Sequence, residues 1–473
     1  MADALPFQPV FLLTDRLAWL LVVVVTALLL WARRQPQLRA SAAQIGRRPV
    51  PMAALVVLLC YVVIGLADSL HFHPDVTGPD DDTPRYSAEV LSVLDLVLEP
   101  LRENTEKTYS APLALHAHSK ETLTGPDGGE FRGYPRLEHG GAHLESSDGH
   151  VRDVTLRGLG GALTGLAATA IAVLAGLWLR HPLSPQQAPA RLLRLLRGES
   201  LYAARSALVT LAAVGAVTGA LWALAPHYHV LGTDKVGLDV LYLSLKSIRT
   251  GLLIGTLTLA VMIPLALLFG IAAGYFGGWI DDAIQYVYTT LTSIPGVLLI
   301  AAAVLSLDLW METRGADAFS TLSERADLRL LALCLILGAT GWVGLCRLLR
   351  GEALKLRELE YVQASICSGL SHARILSRHL LPNVMHIVLI TAVIDFSGLV
   401  LAEAVLSYVG IGVDPAMISW GNMINAARLE LARDPVVWWS LLAAFVFMFG
   451  LVLTANLFAD AVRDALDPRL RGS

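Results

Sequence analysis

LEYVQASICSGLSHARILSRHLLPN, Leu359 to Asn383, is a basic, helix-forming stretch set between two apolar runs, one ending at Leu349 and the other beginning near Val384. A polar segment so flanked is a loop on one face of a bilayer, and its periodicity predicts two short helices. Tyr361, Val362, Ser365 and Ile366 share one helical face. Gly369 can take the left-handed backbone that ends a helix, and Ser371 can cap the next one. Pro382 then opens the following apolar run at a position where its missing N–H costs little.

The rest of the chain supplies the membrane. Of 473 residues, 55% are hydrophobic and 16% charged, too few charges to solvate a globular surface of this length. The mean hydropathy is +0.58. A net charge of -4 implies no nucleic-acid partner. Cys60, Cys334 and Cys346 fall in apolar runs and Cys367 in the basic loop, which leaves no disulfide framework and no Cys-x-x-Cys metal spacing.

Uncharged stretches near ~20 residues, the length that crosses the hydrocarbon as a helix, occur at Leu17–Ala32, Val50–Ala67, Gly158–Leu179, Ser206–Ala225, Thr250–Gly274, Ala283–Leu307, Leu330–Cys346, Val384–Tyr408 and Val436–Ala459. The first has its arginines, Arg33 and Arg34, after it, which favours a span with its N-terminus outside over a cleaved signal peptide. Arg39, Arg47 and Arg48 join them before the second span with no acid between, so that segment is cytoplasmic. His71 to Arg157 carries 16 acids against 8 bases and belongs outside. Arg180, Arg191, Arg194 and Arg197 mark a second inner segment, and nine crossings return Arg463, Arg469 and Arg471 to the cytoplasm. The same count puts Gln44 and Gln187 inside, Asp127 outside and Leu359–Asn383 inside.

The loop resembles the cytoplasmic "EAA" loop of binding-protein-dependent ABC importer permeases, a pattern of Glu-Ala-Ala, then Gly, then Leu-Pro at fixed offsets. Gln363-Ala364-Ser365, Gly369 and Leu381-Pro382 stand at those offsets, with Gln in place of Glu and Ser in place of the second Ala. His379 fills the variable apolar position, as in the dipeptide, oligopeptide and nickel branch. HYHVLGTDKVGLDV (His227–Val240), AGYFGGWIDD (Ala273–Asp282), AEAVLSYVGIGV (Ala402–Val413) and SWGNM (Ser419–Met423) resemble that branch in order. The likeness covers roughly residues 200 to 470, so the first 200 form an extension that the family does not account for.

The resemblance implies an all-α integral membrane protein of the inner (cytoplasmic) membrane whose last six spans form the permease core, and the count of apolar runs brings the total to about nine transmembrane helices. Its domains would be two N-terminal spans in 1–70, an extracytoplasmic domain in 71–157, and a third span with a basic linker in 158–200. A six-span permease core would follow in 201–473, with its coupling loop at 351–383. Such a chain is a permease subunit for di- or oligopeptides, with nickel or another small solute as the alternative. Its implied partners are a second homologous permease, two ATPase subunits and an extracytoplasmic binding protein. Tyr361, Gln363, Ala364, Ser365, Gly369, Leu381 and Pro382 would form the surface an ATPase engages.

No phosphate-binding Gly-x-x-x-x-Gly-Lys-Ser/Thr loop is present, and LLRLLRGES has the wrong spacing, so the sequence carries no ATP hydrolysis by that route. The chain reads as a transport subunit without cofactor of its own, with ATP and Mg bound by the partner ATPases. The glycines of AGYFGGWIDD make a tight cytoplasmic turn.

Within the spans Asp395 and Glu403 stand out, since an ionisable group in hydrocarbon costs at least ~2.5 kcal/mol on insertion scales and normally faces the bundle interior or water. They are candidate pathway residues on one helix, with Gly398 and Ala402 between them. The alternative is a buried polar pair with a packing role. Pro264 predicts a kink in its span.

The outer stretch 71–157 reads as a small α+β domain. AEVLSVLDLVLEPLREN has Val90, Leu94, Val97, Leu98 and Leu101 at helical spacing, and GPDGG between LALHAHSKETL and EFRGYPRL signals a hairpin. The stretch holds seven of the 13 histidines, including His71, His73, His116, His118, His139 and His143. A strand through His116 and His118 would put both on one face, where such a pair can ligate zinc or nickel. Solvated surface histidines are the simpler reading, and docking of the binding protein or the second permease the expected role. A membrane-anchored sensor or scaffold with a permease-like half is the reading from a different class.

Overall fold

The structure, a computed structural model, describes residues 7–75, 85–87, 89–124, 130–144, 147–180, 203–314 and 321–466. Strand β1 (Phe7–Val10) precedes helices α1 (Leu13–Ala32), α2 (Pro36–Arg47) and α3 (Pro49–Asp68). Short elements follow: β2 (His71–Pro74), β3 (Leu91–Ser92), α4 (Val93–Val97), α5 (Glu99–Glu103), β4 (Glu121–Thr124) and β5 (Glu130–Gly133). Then come α6 (His150–Arg180), α7 (Ala204–Leu224), α8 (Val240–Phe276), α9 (Gly278–Ser293), α10 (Gly296–Arg314), α11 (Leu322–Gly341) and α12 (Val343–Arg357). The last group is α13 (Glu360–Cys367), α14 (His372–Ile375), α15 (Leu381–Tyr408), α16 (Trp420–Glu430) and α17 (Trp439–Leu466).

Among the described residues, nine helical stretches are long and apolar enough to cross a bilayer, beginning with α1 and ending with α17. They match the expected number, with one correction. The apolar run Ala283–Leu307, expected as one span, is two helices. Ile294 ends α9 in extended conformation (φ -92°, ψ 131°), and the carbonyl of Pro295 accepts from the N–H groups of Leu298 and Leu299 to start α10. Proline has no N–H and disfavours helical backbone at the residue before it, so the run breaks there. The crossing belongs to Gly296–Thr313 alone. Pro264, by contrast, lies inside the continuous helix α8.

The chain divides into two compact units, and it passes between them within α8 at Thr250–Gly251. The first contains Ala42–Thr250 and Ile418–Phe458 with the N-terminal strand. Its spans α6 and α7 pack backbone to backbone. A Cβ on Gly161 or Gly165 would strike the carbonyl oxygens of Gly219 and Gly215, so only glycine permits the approach. Strand β1 joins the segment that follows α3 in a three-stranded antiparallel sheet in the order β1-β2-β3, with Phe7 opposite Pro74 and His71 opposite Ser92. The arms β4 and β5 pair antiparallel from Glu121–Gly133 to Thr124–Glu130. Residues 125–129, which hold the GPDGG signal, lie outside the described residues, as do Asp127 and Gln187.

Two outer expectations are corrected. The predicted amphipathic helix is two short ones, α4 and α5, because Pro100 fits only the first turn of a new helix. Leu94, Leu98 and Leu101 are buried as expected, while Val97 is 46% exposed. His116 and His118 lie in no strand. His116 makes an isolated bridge to Arg136, and the His118 ring packs edge-on against Trp439 at 4.8 Å. Among the described residues no group of three or more metal-capable side chains converges.

The second unit contains Phe11–Ser41 and Gly251–Met417. Its α1 is anchored on α11 near its N-terminal end, where Ala18 joins a buried cluster with Leu330 and Leu333. The Thr14 N–H donates to the Asp327 carboxylate at 3.1 Å and the Thr14 hydroxyl donates to its other oxygen, both residues being buried. Most of the remaining length of α1, including Leu20, Val23, Leu28 and Trp31, is exposed apolar surface suited to lipid. A buried cluster of Ile271, Tyr275, Leu349, Ala353, Leu356, Val362, Ile375, Leu380, Val384 and Val388 lies beneath the basic loop.

Candidate functional site

The basic loop is a helix-turn-helix mounted on that cluster. Its first helix, α13, ends in a Schellman motif. Gly369 sits at φ +73°, its N–H reaches the Ile366 carbonyl at 3.0 Å, and the Leu370 N–H reaches Ser365 at 3.2 Å. Leu370 packs onto the buried cluster, the hydrophobic contact this motif favours. Ser371 occupies the N-cap of α14, but its hydroxyl makes no capping bond. Its carbonyl instead receives the Arg374 and Ile375 N–H groups at 3.0 and 3.1 Å. A turn of π-helix, Leu376–Leu380, leads into α15, with Pro382 in the first turn where its missing N–H is harmless.

The face expected from periodicity is split by this mounting. Val362 is fully buried, whereas Tyr361 and Ile366 are 43% and 37% exposed. Gln363 donates to the Arg357 carbonyl at 2.9 Å, and Ser365 to the Tyr361 carbonyl at 2.7 Å. Ala364 is exposed. Asn383 donates to the Tyr361 hydroxyl at 3.0 Å, which ties α13 to the start of α15. Leu381 packs against the buried cluster beside Pro382. Two contacts absent from the sequence reading brace the loop from the α8–α9 side. The Tyr275 hydroxyl bonds His372 Nδ1 at 2.8 Å, and Arg350 grips Asp281 with two bonds of 2.6 Å. The Arg350 guanidinium holds the Asp281 carboxyl below the usual carboxylate range. Paired charges at the inner ends of spans, here WIDD and RLLRG, were the available signal.

Asp395 and Glu403 are placed differently on α15. Asp395 is partly buried, and among the described residues no hydrogen bond or ion pair reaches its carboxylate. Its neighbour Phe396 packs on Gly255 of α8, about midway along that helix. Glu403 is 2% exposed and accepts from Ser407 at 2.8 Å within the packed interior.

In the first unit the family-like segment His227–Val240 is locked by the outer elements. Glu106 accepts the backbone N–H groups of Glu138, His139 and Gly140 at 2.9 to 3.0 Å. His229 lies between Glu106 (3.3 Å) and Asp239 (2.9 Å), and Asp239 caps α8 through the Leu241 N–H at 2.8 Å. Burial alone would push His229 down, but Asp239 and Glu106 together lift it to about 9. Burial would likewise raise Glu106, but His229 and the three N–H groups hold it at about 2. Nothing in spacing joins Glu106 to His229, since the two are 123 residues apart.

A pH prediction follows with a definite sign. The His229 contribution is complete below its ordinary 6.5 and lost as pH rises through about 9. The Glu106 contribution is complete above its ordinary 4.5 and lost as pH falls towards about 2. Melting of the purified protein should therefore be highest between those ordinary values, and Glu106→Gln should flatten the acid limb. A melting temperature unchanged from neutral pH to 9 would contradict the assignment.

Residues 266–472 match the family described as binding-protein-dependent transport system inner membrane component. The oligopeptide transport system permease protein OppC of Mycobacterium tuberculosis is 32% identical over 243 residues, which is 51% of this chain and 77% of that protein. The dipeptide transport system permease protein DppC of Bacillus subtilis is 28% identical over 243 residues, 51% of this chain and 69% of its own. A putative peptide permease of Brucella suis is 32% identical over 248 residues, 52% of this chain and 75% of that one. With nine helical stretches among the described residues long and apolar enough to cross a membrane, these matches establish the chain as a multi-pass inner-membrane permease of the binding-protein-dependent ABC importer family, on its peptide-permease side.

Proposed function

We propose that this chain lines half of a translocation pathway for di- or oligopeptides and that the loop from Tyr361 to Pro382 receives the stroke of a partner ATPase. The observation that carries the reading is the two-sided character of α13. Its Val362 is sealed into the cluster that also holds Val384 and Val388 of α15, while Tyr361 and Ile366 stay open on a loop that also carries the basic Arg374 and Arg378. Apolar side chains displayed on a polar loop need a protein to cover them. A push on that face is transmitted directly to α15, which carries Asp395. Gln363, Ala364, Ser365 and Gly369 form the contact and its turn, and Leu381 and Pro382 the joint with the span.

The partners in this reading are two ATPase subunits that bind ATP and Mg, a second homologous permease, and an extracytoplasmic binding protein. The outer elements between His71 and Arg157 serve to dock the binding protein or the second permease. Asp395 lines the pathway, while the buried position of Glu403 suits a packing role. Reconstituting the chain with these partners in liposomes and measuring ATP-dependent uptake tests the reading. Uptake of labelled di- to pentapeptides supports it, uptake of nickel without peptides replaces the substrate, and assembly without uptake of any solute favours a scaffold.

A further inference from the structure

Among the described residues Arg347 is a cation without an anion. It lies on α12, level with Gly270 of α8, where the backbone of Cys346 meets that glycine. This is six residues short of the α8 end at Phe276, about 9 Å at the rise of a helix. The neighbouring Arg350 is satisfied by two bonds to Asp281. The Arg347 guanidinium instead lies over the Tyr288 ring, 4.8 Å from its centre, and donates one hydrogen bond, at 3.3 Å, to the Thr292 hydroxyl. Among the described residues no carboxylate pairs with it, and the side chain is exposed. With one donor engaged by Thr292, most of the five donors of the fork remain available.

The surroundings leave room and add polarity. On α12, Gly344 and Gly351 bracket Arg347 along one face, and a Cβ at either would touch nothing within 4 Å. A helix side meant for lipid is normally filled with bulky apolar groups. Here the bulky member of the face is Leu348, and the glycines leave the guanidinium approachable from both ends. On α9, Thr289, Thr292 and Ser293 fall at i, i+3 and i+4, so they share a face, and all three are exposed. The helix then breaks at Ile294–Pro295, just before the crossing that begins at Gly296, so these hydroxyls and Arg347 lie near one end of that crossing.

We propose that Arg347, held against Tyr288 and Thr292, is a carboxylate subsite in the inner part of the translocation path, taking the terminal carboxylate of a peptide in transit. The inference rests on the peptide reading above and adds which end of the substrate the chain recognises. Charge complementarity selects the occupant. A planar guanidinium already held over an aromatic ring presents paired donors to a carboxylate.

The test uses the full complex in liposomes and two probes, a labelled tripeptide with a free carboxylate and the same tripeptide as its C-terminal amide. The parental complex should favour the free acid by at least about tenfold, the factor expected for a hydrogen bond to a charged group. Arg347→Gln should lower uptake of the acid to the level of the amide and leave the amide unchanged, and Arg347→Lys should recover part of the preference. Equal losses for both probes would overturn the subsite in favour of a contact with the second permease or a lipid headgroup. Equal uptake of both by the parental complex would also overturn it. A parental complex that carries neither probe but imports another solute would instead remove the peptide reading, and the subsite with it.

Discussion

Gly369→Val is expected to insert, assemble and bind its ATPases normally, yet to lose most of its transport. The cause is local backbone geometry. Gly369 holds φ +73°, a region that costs an L-residue roughly 1–2 kcal/mol, and a β-branched residue is among the worst placed there. No side-chain collision contributes, because a Cβ at this position meets nothing within 4 Å. The cost therefore falls on the turn itself, loosening the Schellman bonds that hold Leu370 against the buried cluster and letting α13 move independently of α14 and α15. Asparagine, which tolerates left-handed backbone, should be milder than valine. ATP hydrolysis and peptide uptake should be measured on the same liposomes: retained hydrolysis with reduced uptake is the expected signature. A valine variant that imports at the parental rate would show that the loop does not couple the two.

Lys246→Met should produce the largest loss of stability. Lys246 bonds both oxygens of Asp95, at 2.7 and 2.8 Å, and lies 3.4 Å from Asp68. Asp68 and Asp95 are almost completely buried, and Ser92 bridges them as it caps α4. Removing one member of a buried pair leaves its counter-charge uncompensated, which costs about 3–5 kcal/mol. Here two carboxylates would face each other without a cation, the Tyr242 hydroxyl and the Ser92 N–H remaining as neutral donors to Asp95. The expected outcome is a lower melting temperature in detergent and protease cleavage between His71 and Glu103. Adding Asp95→Asn to the variant should recover part of the loss, since it removes one of the stranded charges. Unchanged melting of the single variant would mean that water, not Lys246, balances these acids.

The two positions differ in how visible they are before the fold is known. Gly369 announces itself, because a glycine between two amphipathic runs, with Leu-Pro at a fixed distance, has few other uses. The spans are visible for a similar reason, since each buries its own backbone hydrogen bonds and needs only length and apolarity. The break at Pro295 is hidden because the residues on both sides of it are apolar, so hydropathy runs straight through while the backbone does not. Lys246 with Asp95, Glu106 with His229, and Thr14 with Asp327 join positions 151, 123 and 313 residues apart. Only the presence of a lone lysine near the end of an apolar run, or an aspartate inside one, hinted that such partners exist. The exposure of Tyr361 and Ile366 was equally hidden, because periodicity groups side chains on a face without saying whether this chain or another covers it.

The pairing of β1 with β2 sets a condition on how the protein is made. Phe7–Val10 and His71–Pro74 can share a sheet only if both lie on the same side of the bilayer, so the number of crossings between them must be even. Helices α1 and α3 supply two. During synthesis β1 leaves the ribosome first and must wait, with its edge unpaired, until α3 has crossed and delivered β2. The sheet thus closes only after the second insertion event, and an α3 that fails to insert would leave β2 on the opposite side of the bilayer from β1, with β1 alone as an exposed edge for quality control to find.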